Sequence, residues 1–263
     1  MAGCPPCQGF SSMRTRNGAK RNCDKRNSLV LEMLRLAKAL KPKAIMMENV
    51  PQIINGRHFK EFVAGLKKLG YVVNYEIKDA ADYGVPQKRK RLLLLAGLSK
   101  QIPFGDESET ITTVRDVLGK LPKAGLSGDH LHDISEDRGQ RIKNLIADIP
   151  KDGGSRGDLP KNRQLDCHKR CDGFKDVYGR MSWDKPSPTI TGGCFNPSKG
   201  RFLHPTENRA ITLREAALLQ TFPPSYKFPK NKSKAAIALL IGNALPPLFI
   251  SQNAIKIRKA LGF

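Results

Sequence analysis

Leu92 to Gly97 (LLLLAG) is an unbroken apolar run that follows directly on the polar and basic stretch Gln87-Lys88-Arg89-Lys90-Arg91. At about 3.3 Å per residue it has the length of a strand, far short of the roughly 18 to 20 residues of a membrane span. With no polar residue on either face it must be covered on both sides, which calls for helices packed over a sheet. The residues before it supply the other elements. Ser28 to Leu40 (SLVLEMLRLAKAL) reads as a helix with Asn27 or Ser28 at its N-cap and Pro42 as the stop. His58 to Leu69 (HFKEFVAGLKKL) spaces Phe59, Phe62, Val63, Leu66 and Leu69 along one face, and Gly70 suits a left-handed cap. Ala44 to Val50, ended by Pro51, and the alternating Tyr71 to Lys78 read as further strands. Alternation of helix and strand predicts an α/β fold.

Three regions are expected. The α/β rhythm occupies residues 1–98. Over 99–205 it gives way to glycine pairs (Gly153-Gly154, Gly192-Gly193), prolines and polar turns, which predicts a smaller, loop-rich domain. Regular pattern returns over 206–263, where Thr212 and Glu215 form a capping box opening TLREAALLQTF. Pro246-Pro247 then open a last helix with Ile250, Ala254, Ile257 and Leu261 on one stripe. No internal repeat is present.

Charge narrows the function. Lysine and arginine number 46 against 24 aspartates and glutamates, a formal net charge of +22 on 263 residues. With 39% apolar residues the chain can fill a core, so the excess sits on a folded protein and implies a polyanion as partner. Residues 1–41 hold nine of these cations against Asp24 and Glu32, so the excess begins beside the first motif. Residues 1–20 lack the apolar centre of a signal peptide, and no apolar run has the length of a span. The expected setting is intracellular, with no membrane, and there the six cysteines stay reduced.

Three short motifs combine chemistry-bearing side chains. Cys7 follows the stiff Pro5-Pro6 pair and is surrounded by cations that favour its thiolate. It reads equally as a nucleophile, a buried structural cysteine, a redox or zinc pair with Cys4, or part of a solvent loop. Glu48-Asn49-Val50 closes an apolar strand, where α/β folds place reacting groups, and there Glu48 is either a general acid or a cap on the following turn. In Gln87 to Arg91, alternation sends Gln87, Arg89 and Arg91 to one side and Lys88 and Lys90 to the other. Two guanidiniums on one side suit a base carbonyl, phosphate or carboxylate, although a solvated basic face has the same pattern. Cys167-His168 with Cys171 offers metal donors but no second clear pair, so no metal is expected.

In order, Pro5-Pro6-Cys7-Gln8-Gly9-Phe10-Ser11, Glu48-Asn49-Val50, Gln87 to Arg91, Arg209 to Pro223 (RAITLREAALLQTFP) and Ile241-Gly242-Asn243-Ala244-Leu245-Pro246-Pro247 resemble the motifs of the C5-cytosine DNA methyltransferase family. Tyr178 to Thr191 and Gly200 to Pro205 resemble the lead-in to its ninth motif, so the resemblance spans nearly the whole chain. It implies a Rossmann-like methyltransferase domain with a target recognition domain over 99–205, duplex DNA as partner and S-adenosyl-L-methionine as cofactor. By resemblance Cys7 adds to C6 of a flipped cytosine while Glu48 hydrogen-bonds ring N3, and Arg91 with Arg89 holds the base carbonyl and the adjacent phosphate. Gln8, Ser11, Arg14, Arg16, Asn49 and Gln87 are the implied substrate contacts. Pro6, Leu29, Asn243, Ala244 and Leu245 form the implied cofactor wall. The implied localisation is a bacterial cytoplasm, around the nucleoid, or a eukaryotic nucleus.

The departure is at the front, where the family's glycine-rich strand-turn-helix and its acidic nucleoside contacts have no match. The expected fold is therefore a partial Rossmann-like domain with its N-terminal strands missing and the Ala44 strand left with an open edge. One reading is a subunit of a split enzyme whose second polypeptide supplies those strands. The other is a piece of a longer frame, favoured because Met1-Ala2-Gly3 reads as the end of a strand. A catalytically silent DNA-binding remnant is the alternative from another class, and a methyltransferase acting on RNA is a third.

Overall fold

A computed structural model describes residues 1–6, 25–134, 137–169 and 175–262, so Cys7, Gln8, Ser11, Arg14 and Arg16 lie outside the described residues. The chain forms two compact units. The first takes the residues up to Tyr83, Lys90–Glu107 and the C-terminal stretch from Ile250, and the second takes Gly84–Arg89 and Ser108–Phe249. Hydrogen bonding accounts for where these units divide the chain. Gln87 and Arg89 bond to the backbone of Leu219, Ile190 and Gly242 inside the second unit. In the first unit Lys100 reaches the Ala260 carbonyl and Gly105 N–H donates to Asn253 Oδ1 at 2.9 Å.

Among the described residues the first unit has four strands, β1 (Ala2–Gly3), β2 (Ala44–Asn49), β3 (Tyr71–Asp79) and β4 (Lys90–Leu98), in the order β1-β2-β4-β3. β1 runs parallel to β2, with Ala2 opposite Met46, while β4 is antiparallel to both of its neighbours. The edge of the Ala44 strand, expected to be open, is partly paired: β1 lies along Met46 and Met47, and Met46 N–H donates to Met1 O at 2.9 Å. Leu92 to Ala96 are fully buried, as an apolar run without alternation requires.

Helix α1 (Val30–Leu40) and helix α2 (Arg57–Lys68) bury Val30, Met33, Ala37, Phe59, Phe62 and Leu66 in one core with Ile45, Met47, Leu92, Leu94 and Ala96. Burial of each such large side chain is worth about 1.5–3 kcal/mol. The start of α1 differs from expectation. A 3-10 turn over Lys25–Leu29 winds straight into it and Leu29 is already helical (φ −64°, ψ −18°), so no extended residue is present to cap it. Asn27 is buried instead, its Oδ1 without a hydrogen-bond partner among the described residues. The end of α1 is closed by Lys41 in the left-handed region (φ 44°), its N–H on Ala37 O. Gly70 takes the left-handed position expected after α2 (φ 87°).

The second unit is loop-rich but not without helices: α3 (Val114–Leu118), α4 (His130–Asp133), α5 (Gln140–Asp148), α6 (Asp166–Lys169), α7 (Leu213–Leu219) and α8 (Lys234–Asn243). Its larger core joins Leu131, Met181, Ile190, Phe202, Leu213, Ala216, Ala217 and Ile241. The predicted capping box opens α7, with Thr212 Oγ1 accepting from Glu215 N–H and the Glu215 carboxylate accepting from Thr212 N–H. The last helix, α9 (Pro247–Leu261), begins at the expected proline. Lys234–Leu261 is long and apolar enough by composition to cross a membrane, which the short apolar runs did not reveal. It is two helices of 10 and 15 residues with Ala244 extended after the first, each below the roughly 20 residues of a span.

Charged groups are buried in this unit. Arg209 forks onto Glu215 at 2.7 and 2.8 Å, and His204 Nδ1 accepts from Thr206 and Glu207 N–H at 3.3 and 3.0 Å. Burial pushes His204 below the usual 6.5, with Arg209 and Arg180 adding to that and Glu215 and Glu207 opposing it. The folded unit binds the neutral ring, so as pH falls below about 6.5 the unfolded chain takes up the extra proton and stability drops. The denaturation midpoint of the second unit is expected to be lower at pH 5.5 than at pH 7.5, and His204→Gln to flatten that difference. An equal slope in the variant would assign the acid sensitivity elsewhere.

Candidate active site

In the first unit two strand ends hold the ionisable pair. Glu48 lies opposite Leu93 in the β2–β4 ladder, and Arg91 precedes Leu93 by two residues, so both side chains stand on one face as diagonal neighbours. Arg91 Nε meets Glu48 Oε1 at 2.7 Å, and Arg91 Nη1 donates to the Lys90 carbonyl at 2.8 Å. Their side chains keep only 12% and 17% exposure for Glu48 and Arg91, so solvent screens the pair little while an incoming group can still reach it. Asn49 is buried, its Nδ2 donating to Pro5 O at 3.0 Å and its Oδ1 accepting from Val50 N–H at 2.9 Å. Asn49, the expected substrate contact, ties the end of β2 to the proline pair that precedes Cys7 in the sequence. Pro6 is exposed and Leu29 is 39% exposed, both apolar.

The second unit holds the other group of expected residues. Alternation is visible in burial: Gln87 and Arg89 are buried, whereas Lys88 and Lys90 are exposed. Gln87 Nε2 donates to Leu219 O at 3.2 Å and Gln220 Oε1 at 2.8 Å, and Gln87 Oε1 accepts from Ile190 N–H at 3.0 Å. Arg89 donates to Ile190 O at 3.0 Å and to Gly242 O at 3.3 Å. Gln87 and Arg89 are thus both bonded to the backbone of this unit, while Arg91 is paired with Glu48 in the first.

Sequence reasoning missed Gln220, which lay inside a matched block without a marked role. Its Nε2 donates to Ile241 O at 2.7 Å and Ala244 O at 3.0 Å, fixing the extended turn of Asn243, Ala244 and Leu245. Gly242 is required by close approach, since a Cβ there would lie 2.2 Å from Gly192 N and Thr191 C. Gly242→Ala is expected to cost the second unit about 1–3 kcal/mol, read as a lower denaturant midpoint; an unchanged midpoint would show that this contact gives way freely.

The thiols differ. Cys194 is buried and its thiol pushed up to about 12 by desolvation, which makes it inert, while Cys4 and Cys167 are exposed. Among the described residues no cluster of three or more His, Cys, Asp or Glu side chains is placed to hold a metal ion.

The sequence model of the family described as C-5 cytosine-specific DNA methylase matches residues 1–259. Type II methylase M.HgiDII of Herpetosiphon aurantiacus is 40% identical over 262 residues, covering 94% of this chain and 72% of that protein. Type II methyltransferase M1.BsuMI of Bacillus subtilis is 32% identical over 253 residues, covering 92% of this chain but 56% of its own length. The solved structure of the Entamoeba histolytica methyltransferase EhMeth superposes with a TM-score of 0.63 at 18% identity, covering 100% of this chain and 77% of that one, a likeness of fold.

Proposed function

Because the chain belongs to the C-5 cytosine-specific DNA methylase family, we propose that it takes part in methyl transfer to C5 of a cytosine flipped out of duplex DNA. The observation that carries this reading is the Glu48–Arg91 pair at the strand ends, with Asn49 holding Pro5 two residues before Cys7. In this reading the first unit is part of a Rossmann-like catalytic domain and the second includes the target recognition region.

The Cys7 thiolate adds to C6 of the base, forming an S–C bond while the C5–C6 π electrons shift towards C5. Glu48, held by Arg91 at Oε1, presents its other oxygen to ring N3, and Arg91 offers its remaining N–H groups to the adjacent base carbonyl. S-adenosyl-L-methionine, when bound, supplies an electrophilic methyl group. With C5 carrying the methyl group, whose bond to the donor sulfur would break in the transfer, loss of the C5 proton to water restores the double bond as the C6–S bond breaks and Cys7 leaves as thiolate. Pro6 and Leu29, apolar and exposed in the first unit, are assigned to that cofactor, where their chemistry fits an apolar wall. Gln8, Ser11, Arg14 and Arg16 are assigned to DNA, where the net charge of +22 also favours phosphate contact.

The test is incubation of the chain with labelled S-adenosyl-L-methionine and mixed-sequence duplex DNA, alone and with a polypeptide carrying a family cofactor-binding half. Labelled DNA in either arm supports the reading. DNA retention with no cofactor binding in both arms would overturn it in favour of a silent DNA-binding remnant, and preferential labelling of RNA would move the substrate class.

A further inference from the structure

From Ala216 to Phe263 the sequence contains no aspartate or glutamate, yet within that stretch Lys227, Lys230, Lys232 and Lys234 recur over eight positions. The first three are exposed. They lie on the segment between α7 and α8, which has no regular secondary structure but is firmly anchored. Phe222, Tyr226 and Phe228 form a ring cluster with centroids 4.9 to 5.3 Å apart, and Phe228 is buried. Tyr226 N–H donates to Pro223 O at 2.9 Å, and Tyr226 O accepts from Arg214 Nη1 at 3.2 Å, while Arg214 is itself paired with Asp129. At the far end Ser233 Oγ accepts from Ala236 N–H at 3.2 Å, and the first turn of α8 carries no acid.

We propose that this lysine loop, Lys227, Lys230 and Lys232 on the aromatic anchor, is a dedicated contact for the phosphodiester backbone of duplex DNA. Like charges gathered on an ordered loop repel one another, and in a solvated face they are ordinarily interleaved with acids. Here the interleaving acids are missing from the sequence itself, and the positive end of α8 adds to the field rather than offsetting it. The anchor matters because cations held in place by a packed backbone lose less freedom on meeting phosphates than cations on a free tail. The three lysines are not suited to reading a base: each is a point charge without the planar fork that bidentate readout uses. The loop thus contributes affinity and register without sequence preference. This inference rests on the DNA reading above.

The experiment measures binding of a short labelled mixed-sequence duplex to the chain from about 50 to about 200 mM salt, where each phosphate contact steepens the logarithmic salt slope by about 0.9. The variant Lys227→Gln, Lys230→Gln, Lys232→Gln is compared with Lys60→Gln, Lys67→Gln, Lys68→Gln, which removes the same charge from exposed positions on α2. The loop variant is expected to lose about 0.9 of slope for each lysine that meets a phosphate, with an unchanged denaturation midpoint, and the α2 variant to lose little. Equal losses in both would overturn the assignment in favour of bulk charge, and an unchanged slope in the loop variant would overturn it outright. Loss of binding to polyglutamate but not to DNA would assign the loop to an acidic polypeptide instead. Salt-independent retention of DNA by the unaltered chain would overturn the DNA reading itself, a result distinguishable from failure of the loop alone.

Discussion

Glu48→Gln is expected to slow methyl transfer to duplex DNA by about 10²- to 10⁴-fold, the range of a positioned proton-transfer group, and Cys7→Ser to abolish it. The two changes separate the roles. A serine hydroxyl is almost wholly un-ionised near neutral pH and adds poorly to C6, so the covalent step is lost while the surroundings of residue 7 keep their size. Glutamine at 48 keeps an oxygen for Arg91 Nε, now paired at 2.7 Å, so the strand ends should stay in place and the denaturation midpoint should hold. On the proposed mechanism what it loses is the carboxyl group that meets N3, and with it the proton relay that makes C5 nucleophilic. DNA affinity in the absence of turnover should change less than threefold in either variant. Arg91→Met tests the pair from the other side: it should lower the rate through a misplaced Glu48, and Arg91→Lys should restore only part of it, since an ammonium lacks the planar fork. The rates are to be read in single-turnover labelling, in whichever arm of the assay transfers methyl groups. Glu48→Gln within threefold of the unaltered rate would remove Glu48 from the chemistry, and retained transfer in Cys7→Ser would reject the covalent route.

Much of this was legible in the sequence, for reasons that differ from residue to residue. Leu92 to Ala96 could only be a buried strand, because five consecutive apolar residues leave no face for water, and all five are fully buried. The box of Thr212 and Glu215 is local chemistry between residues three apart and formed as read. Asn27 failed as a cap because capping needs an extended residue, and the 3-10 turn before α1 provides none. Glu48 with Arg91 became a pair only through the β2–β4 register, which joins residues 43 positions apart and is fixed by folding. Gln87 and Arg89 share the alternation of Arg91, yet they bond within the second unit, because the chain passes between the two units at Arg89 and Lys90. Alternation gives the side on which a residue lies, but not which unit receives it. The basic excess was legible in total, whereas its lysine loop became a surface only once Phe222, Tyr226 and Phe228 were seen to anchor it.

Arg180→Met is expected to destabilise the second unit by about 4 kcal/mol or more, enough to leave it largely unfolded against a typical total of about 5–15 kcal/mol. Arg180 is the largest fully buried side chain among the described residues, and burial disfavours its charge. Five acceptors offset that penalty: the carbonyls of Ile149 (3.1 Å), Ile146 (2.7 Å), His204 (3.0 Å) and Glu207 (2.6 Å), and Asn208 Oδ1 (2.7 Å). These acceptors come from the end of α5 and from the turn after Leu203, two segments without a sheet between them, so the guanidinium does the joining that strand ladders do in the first unit. Methionine fills a similar volume, which keeps the cavity term small and isolates the hydrogen-bond loss. Each buried acceptor left without a partner costs about 1–3 kcal/mol, and relief of the buried charge returns part of the total. Arg180→Lys should fall between the two, because three donors radiating from one nitrogen cannot span acceptors set around a planar fork. Hydrogen exchange is the discriminating measurement, since amides near Ile149 and Leu203 should lose protection in the methionine variant while those of β4 keep theirs. A methionine variant whose midpoint lies within about 1 kcal/mol of the unaltered chain would show that water or repacking satisfies these carbonyls, and that the guanidinium is not what holds the loops together.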